Sequence, residues 1–346
     1  MEITKKIGIF AILVILGLII YFPGHKFARA HVNYRTGVDD HPLMCLKCHL
    51  YIHSESPLAK LLNEDYYSPI NLAVSKDGSR LYVVAQEGNA LITVDADKEK
   101  VIGKIGVGKL PHSVILSIDG LKAYVSNQWS DNISVIDLAA SKVVDTLQTA
   151  NGPSGLAIGA DGKMLYAVNT YSSNVSVIDL QTGEEQKRLD VGNNPTGIQL
   201  SPEKKLLFVT SRRANIAPYG EPVRTEMTLI NDSTARNFGF RTLESAHMAE
   251  NVAFTPTGDL AIVTLMRPKN LVPSIQVERG FMMNHGIGIF EQKENGRIIQ
   301  LMLDEPNAYY ADPFDVIITP DGKKAFVSHA GVDCISDMDI DYIPAL

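Results

Sequence analysis

The chain has 346 residues, of which 45% are hydrophobic and 21% charged, with a formal net charge of −7. This composition is that of an ordinary globular protein and excludes a disordered, collagen-like or disulfide-stapled chain. The acidic balance argues against binding to a phosphate backbone, so no nucleic-acid partner is expected. Three cysteines, two of them close together, can hold a cofactor but cannot form a disulfide framework.

The N-terminus predicts a membrane or export segment. A lysine pair precedes an apolar run of 16 residues, from 7 to 22. A bilayer span needs roughly 20 residues and a signal-peptide core ~7–15, so the run falls between the two. We expect residues 1–30 to be an uncleaved membrane anchor, with the body of the chain on the periplasmic side of the cytoplasmic membrane. The alternative is cleavage after Ala30, at a small-x-small site, which leaves a secreted or periplasmic protein.

A haem-attachment motif follows this segment. Cys45-x-x-Cys48-His49 is the pattern through which c-type haem is attached. Two thiols one helical turn apart can form thioethers with both vinyl groups of one haem, and the adjacent imidazole is the proximal iron ligand. We therefore expect one covalent haem c on a short helical arm, residues 31–67. A disulfide between the two cysteines and a partial zinc site are the alternatives.

The second axial ligand of the haem iron is not fixed by the sequence. Met44 and His53 are close to the motif and badly placed to reach the opposite side of the haem. An iron with an open sixth position is one alternative. Side chains that can reach across are His31, His41, Met282, Met283 and His285.

Residues 68–346 are built from a repeat. The stretches 69–108, 111–150 and 153–192 align without gaps, and their leading prolines are 42 residues apart. A period of about 40–45 residues with short apolar strands is typical of a β-propeller. In the third unit we expect strands that include residues 156–158, 165–168, 176–179 and 185–191, with an Asp-Gly hairpin turn after the first.

The predicted fold class is therefore all-β. We expect a propeller of four-stranded blades, preceded by the N-terminal apolar helix and the helical haem arm. About six units are recognisable, and the last lacks its fourth strand. An incomplete seven-bladed ring and a compact six-bladed ring both remain open.

Two insertions lengthen the repeat. They occupy residues 212–220 onward and 267–284, and each follows a second strand. Both should therefore emerge on the same face of the propeller. Long loops raised on one face of a rigid scaffold are where binding usually occurs.

The histidines of the repeat give a weaker signal. His112, His247 and His329 are the one group that we would test for a second cofactor, although a lone histidine is more often a satisfied loop or core residue. The residue after each first-strand proline is expected near the central channel. These positions are Ile70, His112, Ser154, Thr196, Glu250 and Phe314.

The strings SVIDL and LYAVN, with Asp-Gly between strands, resemble the YVTN-type β-propeller repeats of bacterial exported proteins, most closely over 69–192. The stretch from Arg267 to Gly286 is similar to loops in propellers joined to di-haem cytochrome c peroxidase-like domains. That similarity implies a di-haem cytochrome as a candidate partner. Peroxidase activity is not carried over, because the sequence has no second haem motif. If the chain is enzymatic, we expect a peroxidase-like haem oxidoreductase that needs a further haem domain. A haem motif before a propeller is more distantly similar to cytochrome cd-type nitrite reductases.

Together these patterns predict an exported, membrane-anchored c-type haem protein in electron transfer. Cys45 and Cys48 tether the haem, His49 is the proximal iron ligand, and the propeller is the docking scaffold for a redox partner protein. One alternative is a ligand- or partner-binding propeller with a sensory haem. Another is a part of a di-haem peroxidase-like or reductase-like enzyme, and no catalytic residue is assigned.

Overall fold

The computed structural model describes the propeller and not the segment before it. Cys45, Cys48 and His49 lie outside the described residues, as do the expected anchor and all of the haem arm except Tyr67. No helix among the described residues is long and apolar enough to cross a membrane. The residues described are 67–202, 205–219, 221–268, 283–293, 296–304, 310–332 and 334–340.

Six antiparallel sheets form the six blades of a propeller, which confirms the all-β prediction. In every blade the strands follow one another in chain order. Blades 1 to 3 contain β1 (Pro69–Val74), β2 (Arg80–Ala85), β3 (Ala90–Asp95), β4 (Lys100–Gly106); β5 (Pro111–Leu116), β6 (Lys122–Asn127), β7 (Asn132–Asp137), β8 (Lys142–Gln148); and β9 (Pro153–Ile158), β10 (Met164–Asn169), β11 (Asn174–Asp179), β12 (Glu185–Asp190).

Blades 4 to 6 continue the same order. They contain β13 (Pro195–Leu200), β14 (Leu206–Ser211), β15 (Arg224–Asn231), β16 (Arg236–Glu244); β17 (Val252–Phe254), β18 (Leu260–Pro268), β19 (Met283–Glu291), β20 (Ile298–Met302); and β21 (Pro313–Ile318), β22 (Lys324–His329), β23 (Cys334–Asp339). Within the described residues blade 6 has three strands, as the sequence predicts.

The Asp-Gly pair forms the turn between the first and second strands. Gly78 has a φ of 73°, a left-handed conformation that glycine adopts without strain. The Asp77 carboxylate accepts hydrogen bonds from the Ser75 hydroxyl (2.6 Å) and from the Ser79 amide (3.1 Å). These hydrogen bonds lower the pKa of Asp77 to about 2. The turn therefore fixes the register of each hairpin locally, which is why the repeat is readable in the sequence.

Packing between neighbouring blades builds the core. In blade 2, Ala123 and Val125 pack toward blade 1, whereas Tyr124 packs toward blade 3. This alternation follows from the two-residue period of a strand, since successive side chains point to opposite faces. Both faces of an inner strand are apolar, so each blade stabilises its two neighbours.

The second insertion is shorter than the sequence suggested. Pro268 pairs with Met283, and Arg267 with Asn284, so both ends of the expected insertion belong to the sheet. The connection 269–282 between them lies outside the described residues. The first insertion joins β14 to β15 over 212–223, so both insertions connect a second strand to a third.

Candidate functional site

The loop face is the end of the propeller that carries the connections between second and third strands. The first insertion starts there, and the strands β18 and β19 that the second insertion joins end at the same face, in line with the prediction. The base of the first insertion is held to the scaffold, because the Asn215 amide donates to the Arg224 carbonyl (2.8 Å). The side chain of Asn193 also donates to the amide oxygen of Asn215 (3.1 Å). The insertion therefore starts from a fixed position.

Large hydrophobic side chains are exposed on this face of three neighbouring blades. Trp129 is 67% exposed and Tyr171 is 60% exposed, and the two occupy equivalent positions in blades 2 and 3. Ile216 and Tyr219, in the first insertion, are fully exposed. We call Trp129, Tyr171, Ile216 and Tyr219 the aromatic patch. Large exposed apolar side chains grouped on one surface mark interaction sites, and tyrosine and tryptophan dominate the binding energy of many interfaces.

Two cations accompany the aromatic patch. Lys109 and Arg213 are exposed on the same face, and neither forms an ion pair with another described residue. The nearby carboxylate of Asp131 is engaged, because its Oδ1 accepts a hydrogen bond from the Gly152 amide (2.8 Å). The exposed carboxylates of Asp131 and Glu221 lie on the same face, so this sector presents charges of both signs.

A group of polar side chains, Arg212, Glu250 and His112, lies closer to the propeller axis than the aromatic patch. Arg212 forms an ion pair with the buried Glu250. Burial raises the pKa of Glu250, and the positive charge of Arg212 opposes that rise. Burial, with the charge of Arg212, lowers the pKa of His112 to about 4, and its Nδ1 is buried without a hydrogen-bond partner. His112 is therefore neutral at neutral pH.

Three of the positions expected near the central channel also lie at contacts between blades. Ser154, Thr196 and Glu250 are buried. The Ser154 hydroxyl donates to the Thr196 carbonyl (3.1 Å), and the Thr196 hydroxyl donates to the Glu250 carbonyl (3.0 Å). The hydroxyls of Ser154 and Thr196 therefore bind the backbone of the following blade and join neighbouring blades.

The structure does not assemble His112, His247 and His329 into a metal site. Among the described residues no group of three or more His, Cys, Asp or Glu side chains is placed to hold a metal ion. Both ring nitrogens of His329 are engaged, Nδ1 with the Tyr310 carbonyl (2.8 Å) and Nε2 with the Ser336 hydroxyl (2.9 Å). Burial lowers the pKa of His329.

His285 occupies a better defined environment than these three. It is buried in β19, and its Nδ1 lies 3.2 Å from Oδ1 of Asp304. The sequence singled out His285 as one candidate for the second haem ligand, but it gave no reason to connect His285 with Asp304. That pairing depends on how β20 ends beside β19. The role of His285 toward haem stays a prediction, and His31, His41 and Met282 lie outside the described residues.

Comparisons with known proteins agree with this architecture. Residues 117–203 match the family model of YNCE-like β-propellers. Over 146 residues the chain is 27% identical to hydrazine synthase subunit beta of Kuenenia stuttgartiensis. That match covers 39% of this chain and spans only 38% of the relative's length.

Solved structures extend the similarity to most of the propeller. Kuenenia stuttgartiensis hydrazine synthase superposes with a TM-score of 0.75 at 26% identity, over 81% of this chain and 79% of that chain. A putative 6-phosphogluconolactonase from Bacteroides uniformis superposes with a TM-score of 0.61 at 15% identity, over 80% and 82%. The second likeness concerns the fold alone. The haem motif and the link to di-haem peroxidase-like proteins stay predictions.

Proposed function

We propose that this chain is an exported electron-transfer protein that works as a docking subunit within a redox assembly. The aromatic patch on the loop face carries this proposal, because it presents a protein-binding surface on a rigid scaffold. The likeness to a protein named as one subunit of hydrazine synthase supports a role in an assembly. A propeller that docks partners needs no catalytic residue of its own, which agrees with the absence of any catalytic motif from the sequence.

The haem in this proposal is held by Cys45, Cys48 and His49. Two thiols and an adjacent imidazole are the donor set that covalent haem c requires. The group supplies one-electron chemistry when bound. Covalent attachment takes place on the exported side of the membrane, which agrees with an apolar segment at residues 1–30 acting as an anchor.

The loop face is the proposed docking surface for the redox partner. Exposed aromatic side chains provide contact area with little loss of conformational freedom, and Lys109 and Arg213 can form ion pairs with carboxylates of the partner. The partner that this chemistry fits is a redox protein, for which a di-haem cytochrome is one candidate. The first insertion extends the surface with Ile216 and Tyr219.

Photo-crosslinking tests the docking surface. We would place p-benzoylphenylalanine at Tyr219 or Tyr171, with Phe238 as the matched control because it is an equally exposed aromatic on the outer strand β16. In membranes of a host that carries the partner, we expect the two loop-face positions to give an adduct with one redox protein. Equal labelling from Phe238, or no adduct from the loop face, would contradict the proposal.

A further inference from the structure

Blade 5 places a methionine between two histidines. Met266 in β18 lies directly opposite His285 in β19. On its other side, Met266 forms an isolated bridge with His247, in which each amide donates to the other's carbonyl (2.7 and 2.8 Å). Residues directly opposite one another on antiparallel strands project from the same face. The Met266 thioether therefore stands in a row between two imidazoles, which we call the His-Met-His row.

The spacing in this row suits one bound ion. The backbone groups of Met266 are used in bonds to His247, so Met266 and His285 form the closer, non-hydrogen-bonded type of pair. The Cα separation is typically ~5.5 Å in a hydrogen-bonded pair such as His247 and Met266, and ~4.5 Å in a non-hydrogen-bonded pair such as Met266 and His285. Side chains as long as methionine and histidine can converge across such distances.

Asp304 orients the imidazole of His285. Its Oδ1 lies 3.2 Å from His285 Nδ1, and its Oδ2 accepts a hydrogen bond from the His285 amide (2.8 Å). The Tyr310 amide donates to the same carboxylate (3.1 Å). An imidazole whose Nδ1–H faces a carboxylate keeps its lone pair on Nε2, which is the usual arrangement of metal-binding histidines. Nε2 of His285 has no hydrogen-bond partner among the described residues.

The imidazole of His247 is also available to bind a metal ion. No hydrogen bond to either ring nitrogen of His247 is found in the described part of the chain. His247 and Met266 are only part-buried, which leaves the row reachable from the loop face.

The ligand chemistry indicates which metal the row takes. Thioether sulfur with imidazole nitrogen favours copper(I), which accepts few and soft ligands. Zinc requires four ligands in a closed site, and the described residues offer no such set. His329 is close but has both ring nitrogens engaged, so it adds no ligand.

From this arrangement we propose that the His-Met-His row of His247, Met266 and His285 binds one copper(I) ion. Met266 supplies sulfur and the two histidines supply nitrogen. Asp304 is a positioning residue that holds the tautomer of His285. This site is separate from the haem motif, and the proposal does not depend on haem attachment.

Anaerobic titration with copper(I) against the chromophoric chelator bicinchoninate tests the site. We would use the full chain and a full-chain variant with Cys45→Ser, Cys48→Ser and Cys334→Ser, which removes every thiol. The cysteine-free chain should withhold one equivalent of copper(I) from the chelator, and the full chain should withhold at least as much, because its thiols also bind copper(I). Met266→Leu should weaken the affinity at least about tenfold, and Asp304→Asn about 10–100-fold.

Matched substitutions separate ligation from general damage. Met164→Leu changes a part-buried methionine in β10 that has Asp179 opposite it, and it should leave copper affinity unchanged. X-ray absorption at the copper edge should show a sulfur neighbour in the cysteine-free chain, which Met266→Leu removes. The proposal is overturned if the cysteine-free chain binds no copper(I), if Met266→Leu and Met164→Leu behave alike, or if zinc competes equally for the row.

Discussion

At the scale of single residues, one repeated tyrosine shows how an equivalent position can gain a particular role. Tyr82 and Tyr166 occupy the same place in the second strands of blades 1 and 3, and both are buried. Only Tyr166 reaches the next blade, where its hydroxyl lies 3.0 Å from both the carbonyl and Oδ1 of Asp232. Burial, followed by the charge of Asp232, raises the pKa of Tyr166, so its hydroxyl stays a donor.

Removing that hydroxyl should weaken the contact between blades 3 and 4. We expect Tyr166→Phe to lower the free energy of unfolding by about 1 kcal/mol, since it removes a hydrogen bond to part-buried oxygen atoms of Asp232. Tyr82→Phe removes a hydroxyl that makes no such bond, and it should change stability by less than ~0.5 kcal/mol. Urea unfolding of both variants measures the difference, and equal effects would contradict this reading.

Asp315 should make the stability of the propeller depend on pH. It lies part-buried in β21, where burial raises its pKa to about 6, and its Oδ1 accepts a hydrogen bond from the Val316 amide (2.8 Å). An unfolded aspartate titrates near ~3.9. The pKa of Asp315 is thus higher in the folded chain than in the unfolded chain. The Asp315 carboxyl therefore stabilises the fold at low pH, and this stabilisation is lost as pH rises from ~4 to 6.

Asp315→Asn keeps the acceptor for Val316 and removes the titration. We expect the variant to be more stable than the wild type at pH 7 by about 1–2 kcal/mol, and equally stable at pH 3.5. Thermal unfolding followed at both pH values tests this expectation. A variant that is less stable at pH 7 would show that the carboxylate has a favourable partner.

At the scale of elements, the first strands pack so closely that two of them need glycine, Gly155 in β9 and Gly197 in β13. A Cβ at Gly155 would stand 2.4 Å from the Thr196 carbonyl oxygen, which is backbone of the next blade and cannot move aside. Gly106, at the end of the outer strand β4, has no atom within 4 Å of such a Cβ. The close approach, and not an unusual φ, is the reason for glycine at position 155.

Gly155→Ala should therefore destabilise the propeller, whereas Gly106→Ala should be tolerated. We expect Gly155→Ala to lower the free energy of unfolding by about 1–3 kcal/mol, which is typical of overpacking. Differential scanning calorimetry of the two variants compares them directly. If both alanine variants melt together with the wild type, the blades are less closely packed at this point than described.

The strands could be predicted from the sequence because their signals are local. Leading prolines and Asp-Gly turns mark the ends of each hairpin, and the expected 156–158, 165–168 and 176–179 all lie within β9, β10 and β11. The extension of β18 to Pro268 could not be predicted, since it depends on pairing with Met283 across an insertion. The His-Met-His row has the same origin, because only cross-strand register places Met266 between two histidines.

At the scale of the whole molecule, the blades are not equally enclosed. All six residues of β1 are part-exposed, whereas five of the six residues of β9 are buried. The innermost strand of blade 3 is thus packed more tightly than that of blade 1. Local opening follows such differences in buried contact.

Hydrogen exchange should reveal this gradient. We expect amides of β9 and β10 to exchange most slowly and those of β1 and β21 to exchange faster, because fewer buried contacts oppose their opening. Mass-spectrometric exchange of the full chain measures it. Uniform protection across all six blades would contradict the expectation.

Intact mass shows whether this propeller belongs to a c-type haem protein. The chain should be produced in a host that attaches haem c, and its mass and pyridine haemochrome spectrum recorded. We expect the mass of one added haem per chain with a matching spectrum, and we expect both to be lost in the double variant Cys45→Ser/Cys48→Ser. A colourless chain of unmodified mass would contradict this expectation and leave the propeller without its redox group.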